Sequence, residues 1–286
     1  MRTMACLALL LSGAVWAQPQ EYPFPNRFLK TDRALTFCLD KQNPLWPLEE
    51  QVARELARLL GRPAKFYIHR EAQPNPSAPP IPVTRREFQV LLARYCDVYM
   101  GLLGSTTAAF DYPADEQMLA TRPYYKSRYL FVSRQFSKLG QVPKTEPIGI
   151  VGRSLPYNLI LRQQPGRYSL YPVVSSETLA QRLLSGELRH GIIFAPALYG
   201  LEKNPEQKGL QVSALEGIPN TDWYVIAAVA RDRVTLRDQL DQAIQRLLQS
   251  GRMAGLVRQQ GLPTAFFTPT SPTEKRPESE SNDDNR

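Results

Sequence analysis

The side chains that most often carry catalysis or bind metals are few and widely spaced in this 286-residue chain. Its two histidines, His69 and His190, are far apart in sequence and form no local pair of metal ligands. The chain contains no GxxxxGK[ST] phosphate loop, no HExxH zinc motif and no CxxC pair. Gly152-Arg153-Ser154 is followed by Leu-Pro and lacks the second glycine of a nucleophile elbow. These features predict a protein that is not an enzyme and that uses no metal and no cofactor.

Polar and aromatic side chains at the ends of predicted strands are better candidates for binding a ligand. Arg153 and Ser154 follow a strand and open a helix, which offers backbone N–H groups to an anion. The alternative is that Ser154 simply caps that helix. Tyr124 and Tyr125 are adjacent at the start of another strand, so they point to opposite faces and at most one contacts a ligand. Asp222 opens the last long strand, where it either lines a cleft or shapes the turn.

The elements that position these residues alternate between strands and helices. Apolar runs and helical periodicity predict two α/β units of similar design. Between 70 and 84 the chain carries five prolines, which predicts an irregular loop. The predicted strands cover 34–39, 64–68, 97–101, 128–133, 147–151, 170–174, 190–194, 210–214 and 223–230, and the helices cover 48–60, 85–95, 154–162, 177–185, 236–248 and 252–259.

Two extended segments, 126–134 and about 216–228, connect the two α/β units. A chain that leaves one unit, builds a second and returns predicts two lobes joined by two hinge segments, able to close around a ligand. The predicted boundaries are residues 18–125 with 223–267 for lobe 1, and 126–222 for lobe 2. Residues 268–286 have almost no apolar side chains, which predicts a disordered tail.

The first 17 residues have the pattern of a signal peptide. Arg2 precedes an apolar run over residues 5–15, and small residues at Val15 and Ala17 suit cleavage after Ala17. The run is too short to span a bilayer. Cys6 lies too early in the apolar run to be the lipid-modified cysteine of a lipoprotein. We therefore expect a soluble periplasmic protein, with a buried N-terminal helix as the alternative.

Export changes the interpretation of the cysteines. Cleavage after Ala17 leaves Cys38 and Cys96, an even pair in an oxidising compartment. The pair predicts a disulfide, and two buried free thiols are the alternative. Closing a loop of this length stabilises a fold by roughly 4 kcal/mol in the chain-entropy model.

The formal net charge of +8 indicates a basic surface. The basic residues are dispersed and no aromatic–basic binding motif is present, so nucleic acid is not an expected partner. A basic surface of this kind suits an acidic partner protein, an anionic solute or a membrane surface, and the alternative is a generic basic surface with no particular partner.

Three stretches resemble family 3 of the periplasmic solute-binding proteins, which have the type II binding-protein fold. They are LTFCLDKQNPLWPLEEQVARELARLLG, CDVYMG and WYVIAAVARDRVTLRDQLDQAIQRLLQSGRMAGLVRQQG. With the middle lobe, the resemblance covers roughly residues 34–261. It implies a two-lobed α/β fold with a ligand cleft between the lobes. Trp46 stands where the family has an aromatic residue that stacks on the ligand, and its alternative role is packing against the following helix.

A narrower resemblance lies within the first. The segments FCLDKQN, YCDVYMG and TRPYYKSRYLFV together are similar to a subgroup associated with PQQ-dependent (quinoprotein) methanol dehydrogenases. This resemblance implies a non-catalytic accessory factor whose cleft binds a dehydrogenase segment or a ligand. One alternative is the substrate-binding component of an ABC transporter, with a permease as partner and a small polar solute as ligand. A lyase or dehydratase on the same scaffold is a further alternative.

Two departures from the family affect the expected ligand. Amino-acid-binding members have a Thr-x-x-Arg loop after the third strand, whose arginine grips the substrate carboxylate. Residues 102–121 contain no arginine, and the first one after them is Arg122. An α-amino acid is therefore not the expected ligand. The proline-rich loop at 70–84 also departs from the subgroup, so no contact is carried over there.

Overall fold

The computed structural model describes residues 33–70, 85–105, 118–219 and 221–264. The predicted signal peptide, the proline-rich loop and the predicted tail lie outside these residues. Within the described residues, no helix is both long and apolar enough to cross a membrane. The strands are β1 (Leu35–Asp40), β2 (Ala64–Arg70), β3 (Val98–Ser105), β4 (Met118–Ala120), β5 (Tyr125–Ser133), β6 (Pro147–Val151), β7 (Ser169–Val173), β8 (His190–Phe194), β9 (Gln211–Ala214) and β10 (Asp222–Ala230).

The described part of the chain contains seven α-helices, five between strands and two after β10. They are α1 (Trp46–Leu59), α2 (Arg85–Val90), α3 (Leu155–Gln163), α4 (Ser176–Ser185), α5 (Ala195–Leu201), α6 (Val234–Gln249) and α7 (Arg252–Gln259). The long helices bury one face: α1 buries Leu48, Val52 and Leu56. Helical spacing of apolar residues therefore determines which side packs on the sheet.

The strands follow the order β2-β1-β3-β10-β5-β8-β6-β7, with β4 beside β10 and β9 beside β5. The pairs β2/β1/β3 and β7/β6/β8 are parallel, as strand–helix–strand units require. Strand β5 pairs with β10 through its first half and with β8 and β9 through its second half. It therefore runs from one parallel group to the other, which is the predicted hinge arrangement. The exact lobe boundaries stay a prediction.

The predicted disulfide is present between Cys38 and Cys96, 58 positions apart. Both cysteines are fully buried, in a cluster that includes Leu91 and Leu92. The helix predicted over 85–95 is corrected in its second half, because Leu91–Tyr95 is a π-helix. Its wider turn closes with the N–H of Cys96 donating to the carbonyl of Leu91 at 3.0 Å. This turn keeps both leucines buried while Cys96 leaves the helix in an extended conformation.

Helix α5 was not predicted. It follows β8 directly, and its buried residues Ala195–Leu198 read as a continuation of that apolar strand. Periodicity does not separate a buried strand from a short buried helix. Pro196 marks the change, since proline is favoured in the first helical turn.

Candidate functional site

A tightly bonded loop joins β1 to α1 and forms one wall of a cavity between the lobes. Asp40 holds the loop by accepting the backbone N–H of Asn43 through its carbonyl at 3.0 Å and that of Gln42 through Oδ1 at 2.9 Å. Asn43 in turn accepts the N–H of Leu45 at 3.1 Å. The loop is thus held in one shape, and α1 begins at Trp46 with a proline in its first turn.

A buried carboxyl group supports this loop from behind. Glu49 is fully buried, and its Oε1 accepts a hydrogen bond from Asn43 Nδ2 at 2.8 Å. Its Oε2 has no hydrogen-bond partner. Burial raises the pKa of Glu49 well above its ordinary value, and the nearby charge of Asp40 raises it further. We infer that Glu49 is protonated when it holds the loop.

Glu49 occupies space that a bulge in β3 provides. The register of β3 against β10 shifts next to Gly101, which has φ of 79°. A Cβ at Gly101 would collide with the carboxyl group of Glu49. The N–H of Gly101 donates to the hydroxyl of Tyr124 at 3.0 Å, and Asn43 Nδ2 donates to the Gly101 carbonyl at 3.2 Å. The bulge therefore connects the cavity loop to the core.

The opposite wall comes from the N-terminal end of α4 and from residues at both ends of α5. Ser175 caps α4 by accepting the N–H of Thr178 at 3.1 Å, and Ser176 and Glu177 form its first turn. Pro196 and Ala197 form the first turn of α5 and are buried. This wall therefore combines polar groups at the start of α4 with apolar residues of α5.

The cavity between these walls has a volume of about 340 Å³. This is near the lower end of the range for small-molecule sites, and it suits one or two side chains or a small solute. Trp46 is the aromatic group of the lining, with Lys41 Nζ 5.9 Å from its ring centre. The lining comprises Lys41, Gln42, Pro44, Trp46, Pro47, Val151, Ser175, Ser176, Glu177, Pro196, Ala197, Gly200 and Leu201. Three prolines and the tryptophan make it largely apolar.

Among the predicted site residues, Trp46 lies in this lining. Tyr124 and Tyr125 do not, because both side chains are at most 1% exposed in the core. Tyr124 accepts from Gly101, and the hydroxyl of Tyr125 donates to the carbonyl of Pro263 at 3.4 Å. Burial raises the pKa of both tyrosines, so both are neutral. Both therefore lie in the core, and the prediction that at most one of them contacts a ligand stays a prediction.

Arg153 and Ser154 lie next to the cavity lining in sequence but are not part of it. Ser154 accepts the N–H of Tyr157 at 3.4 Å and is the N-cap of α3, which is the simpler of its two predicted roles. Arg153 is exposed and has φ of 63°, in the left-handed region. The helix end that does face the cavity belongs to α4.

Asp222 lies in the hinge. Its Oδ2 accepts from Lys126 Nζ at 3.1 Å and from Arg128 at 3.0 Å, and both partners are on β5. Because Asp222 is on β10, these contacts link the two strands that pass between the lobes. These ion pairs join the two hinge strands, and Asp222 is not among the lining residues of the cavity.

Sequence reasoning missed the wall formed by α4 and α5. Ser175 was visible as a serine before a predicted helix, which is a sound capping signal. Nothing in the local sequence showed that this helix end would lie opposite Trp46. That placement depends on how β5 and β10 orient the two lobes.

A serine, a histidine and a glutamate do meet in the fold, in a closed arrangement. His190 Nδ1 is 2.8 Å from Ser133 Oγ, and His190 Nε2 is 2.6 Å from Glu146 Oε2. Ser133 Oγ already accepts the backbone N–H groups of Gln135 and Phe136, so its proton points to Nδ1. His190 and Ser133 are fully buried. The trio therefore ties β5, β8 and the segment before β6 together.

The described residues contain no cluster of three or more metal-ligating side chains.

No protein-family model and no curated protein matches the chain. Solved structures do match its fold. MxaJ from Methlophaga aminisulfidivorans MPT aligns over 80% of this chain and 99% of its own, with 18% identity and a TM-score of 0.57. The periplasmic binding protein XoxJ from Methylobacterium extorquens AM1 aligns over 82% and 100%, with 18% identity and a TM-score of 0.54. The substrate binding protein of an amino acid ABC transporter aligns over 79% of this chain and 98% of its own, with 16% identity and a TM-score of 0.53.

The chain thus has the two-lobed α/β fold of the periplasmic binding proteins, as the sequence predicted. Within that fold, MxaJ and XoxJ are among the structures it resembles.

Proposed function

We propose that this chain is a non-catalytic, periplasmic accessory factor of a quinoprotein (PQQ-dependent) methanol or alcohol dehydrogenase. Its interlobe cavity receives a segment of that enzyme. Support comes from the sequence motifs shared with the methanol-dehydrogenase-associated subgroup, together with a fold that aligns over nearly the whole length of MxaJ and XoxJ. The Cys38–Cys96 disulfide is consistent with export.

The observation that carries the proposal is the chemistry of the cavity lining. Trp46 is flanked in sequence by Pro44 and Pro47, and Pro196 and Leu201 are part of the same lining. A partly exposed tryptophan among apolar groups is the usual centre of a protein-binding surface. A side chain of a partner segment would insert beside it, in a lining that also contains the polar residues Lys41 and Glu177.

The same lining disfavours an α-amino acid as ligand. Recognition of a carboxylate in a closed cleft is best served by the two parallel donors of an arginine. Among the described lining residues there is one lysine and no arginine. Residues 102–121, where the family places its arginine, contain none.

The experiment compares three forms of the mature protein: the natural sequence, Trp46→Ala and Tyr171→Ala. Tyr171 is a matched control, since it is 45% exposed on β7 and lies outside the cavity lining. Each tagged protein is cross-linked mildly in native periplasm, its partners are identified by mass spectrometry, and its affinity for the purified dehydrogenase is measured. A central tryptophan contributes about 2 kcal/mol, so we expect Trp46→Ala to weaken binding roughly 30-fold and Tyr171→Ala to leave it unchanged.

Two results would contradict the proposal. Capture of a permease, or of no dehydrogenase under conditions where one is expressed, would favour the transport alternative. So would a small polar solute that stabilises the protein by about 2.7 kcal/mol at a hundredfold excess over its Kd.

A further inference from the structure

Asn43 lies in the middle of the loop between β1 and α1, but its side chain is not part of the cavity surface. The residues on either side of it, Gln42 and Pro44, line the cavity, and Asn43 does not. Its Oδ1 accepts the N–H of Leu45 at 3.1 Å, and its Nδ2 donates to Oε1 of the fully buried Glu49 at 2.8 Å. The side chain of Asn43 is therefore used to hold the loop from the protein side.

The backbone of Asn43 holds the start of α1. Its carbonyl accepts the N–H of Trp46 at 3.0 Å, and its own N–H donates to the carbonyl of Asp40 at 3.0 Å. Trp46 is the first residue of α1 and the aromatic residue of the cavity lining. Because the backbone that carries the indole is bonded directly to Asn43, a displacement of Asn43 moves Trp46.

The same asparagine is connected to the hinge strands through Gly101. Its Nδ2 also donates to the carbonyl of Gly101 at 3.2 Å, and the N–H of Gly101 donates to the hydroxyl of Tyr124 at 3.0 Å. Tyr124 is fully buried immediately before β5, and its own N–H donates to the carbonyl of Val225 on β10 at 3.0 Å. A continuous series of hydrogen bonds thus runs from Trp46 to the two strands that pass between the lobes.

This connection is stiff because the space beside it is filled. The carboxyl group of Glu49 occupies the position that a Cβ at Gly101 would take. A buried hydrogen bond that breaks leaves its donor or acceptor unsatisfied, which is costly. A movement of Tyr124 is therefore passed on to Asn43 and is not absorbed at Gly101.

We propose that Asn43 is a positioning residue that fixes the orientation of Trp46, and that Tyr124 holds Asn43 in place from the hinge through Gly101. The cavity and the hinge strands are then coupled, and such a coupling is reciprocal. A partner that binds one orientation of Trp46 also stabilises one arrangement of the hinge strands. The effect on dehydrogenase binding rests on the proposed function, whereas the coupling within the free protein does not.

Fluorine NMR of the free protein tests the positioning role. Of the three tryptophans, Trp16 lies in the predicted signal peptide, so mature protein labelled with fluorotryptophan gives signals from Trp46 and Trp223, which Trp46→Phe assigns. We expect Asn43→Ala to shift or split the Trp46 signal and to leave the Trp223 signal in place, which also shows that the variant is folded. Asn158→Ala is the matched control, because Asn158 also donates to a backbone carbonyl but lies outside the lining. It should change neither signal.

Tyr124→Phe tests the connection to the hinge separately. The change removes only the hydroxyl that accepts from Gly101 and keeps the buried ring. We expect it to shift or split the Trp46 signal as Asn43→Ala does. Tyr125→Phe is the matched control, since Tyr125 is the next residue, is equally buried and loses a hydroxyl that donates to Pro263. It should leave the Trp46 signal unchanged.

The affinity for the purified dehydrogenase gives the functional effect. Neither Asn43 nor Tyr124 lines the cavity, so each variant acts only through the freedom that Trp46 gains. Ordering one such side chain on binding weakens affinity by roughly tenfold, which is the loss that we expect for both variants.

The possible results separate the two proposals. An unchanged Trp46 signal in Asn43→Ala would overturn the positioning role. A Trp46 signal that responds to Asn43→Ala but not to Tyr124→Phe would overturn the connection to the hinge. If both variants change the Trp46 signal and the natural protein binds no dehydrogenase, the coupling stands and the proposed function fails.

Discussion

Replacing Glu49 by glutamine is expected to remove a pH dependence from the stability of the fold. Burial raises the pKa of Glu49 well above its ordinary value. In the unfolded chain the same group ionises with a pKa of about 4.3. Between these two pKa values the folded state keeps a proton that the unfolded state has lost. Stability therefore falls as pH rises through this window.

The slope of the free energy of unfolding against pH follows from the linkage between folding and proton binding. One proton held only by the folded state lowers the free energy of unfolding by about 1.4 kcal/mol per pH unit. Glutamine has the shape of the protonated acid and keeps the acceptor for Asn43. The free energy of unfolding of Glu49→Gln, relative to the natural protein, should thus rise with pH above the unfolded-state pKa, by at most about 1.4 kcal/mol per pH unit. The difference levels off where pH passes the folded-state pKa.

Urea unfolding at several pH values, followed by tryptophan fluorescence, measures this difference. Glu50→Gln is the matched control, because Glu50 is the next residue along, is more exposed and pairs with Arg54 on the surface. It should show no such trend. Parallel curves for the natural protein and Glu49→Gln would refute the inference that Glu49 is buried in its protonated form. A difference in the free energy of unfolding that is the same at every pH would add nothing to this conclusion, since it reports only how well the amide of glutamine packs in place of the carboxyl group.

Three further changes test other parts of the fold. Replacing Cys38 and Cys96 by serine should lower stability by about 4 kcal/mol, measured by denaturant unfolding, and a reductant should have the same effect on the natural protein. Asp222→Asn should cost less than about 1 kcal/mol at low salt, because its two ion pairs are partly exposed, and the difference should shrink at 1 M NaCl. Ser175→Ala should cost about 1 kcal/mol by the same assay, since the N–H of Thr178 loses its acceptor, and an unchanged midpoint would contradict the capping role.

Much of the fold was predictable because local patterns and tertiary packing agree. The strand at 147–151, the strand at 190–194 and the helix at 252–259 match the structure residue for residue. The disulfide was predictable from the count of cysteines left after export. Trp46 was a candidate because the resemblance to the solute-binding family places an aromatic residue in the loop after the first strand, and Trp46 lies in the cavity lining.

Other features had no adequate local signal. Glu49 reads in sequence as one of two adjacent acidic residues on a helix, and Glu50 is indeed partly exposed. Glu49 is buried only because the bulge at Gly101 provides space for its carboxyl group. Tyr124 and Tyr125 were expected to face opposite ways, one of them toward a ligand. Both are buried because core residues pack around them, and the hydroxyl of Tyr125 also contacts the carbonyl of Pro263.

The sequence by itself determined the alternation of strands and helices, the two-lobed fold and the pairing of the cysteines. It could do so because periodicity, turn residues and composition act over a few residues at a time. The tertiary structure alone decided which helices face the cavity, where Asp222 forms its ion pairs and why the pKa of Glu49 is raised. Those features arise where β5 and β10 bring together residues distant in sequence, and the burial and charge at such places are not encoded in any short segment.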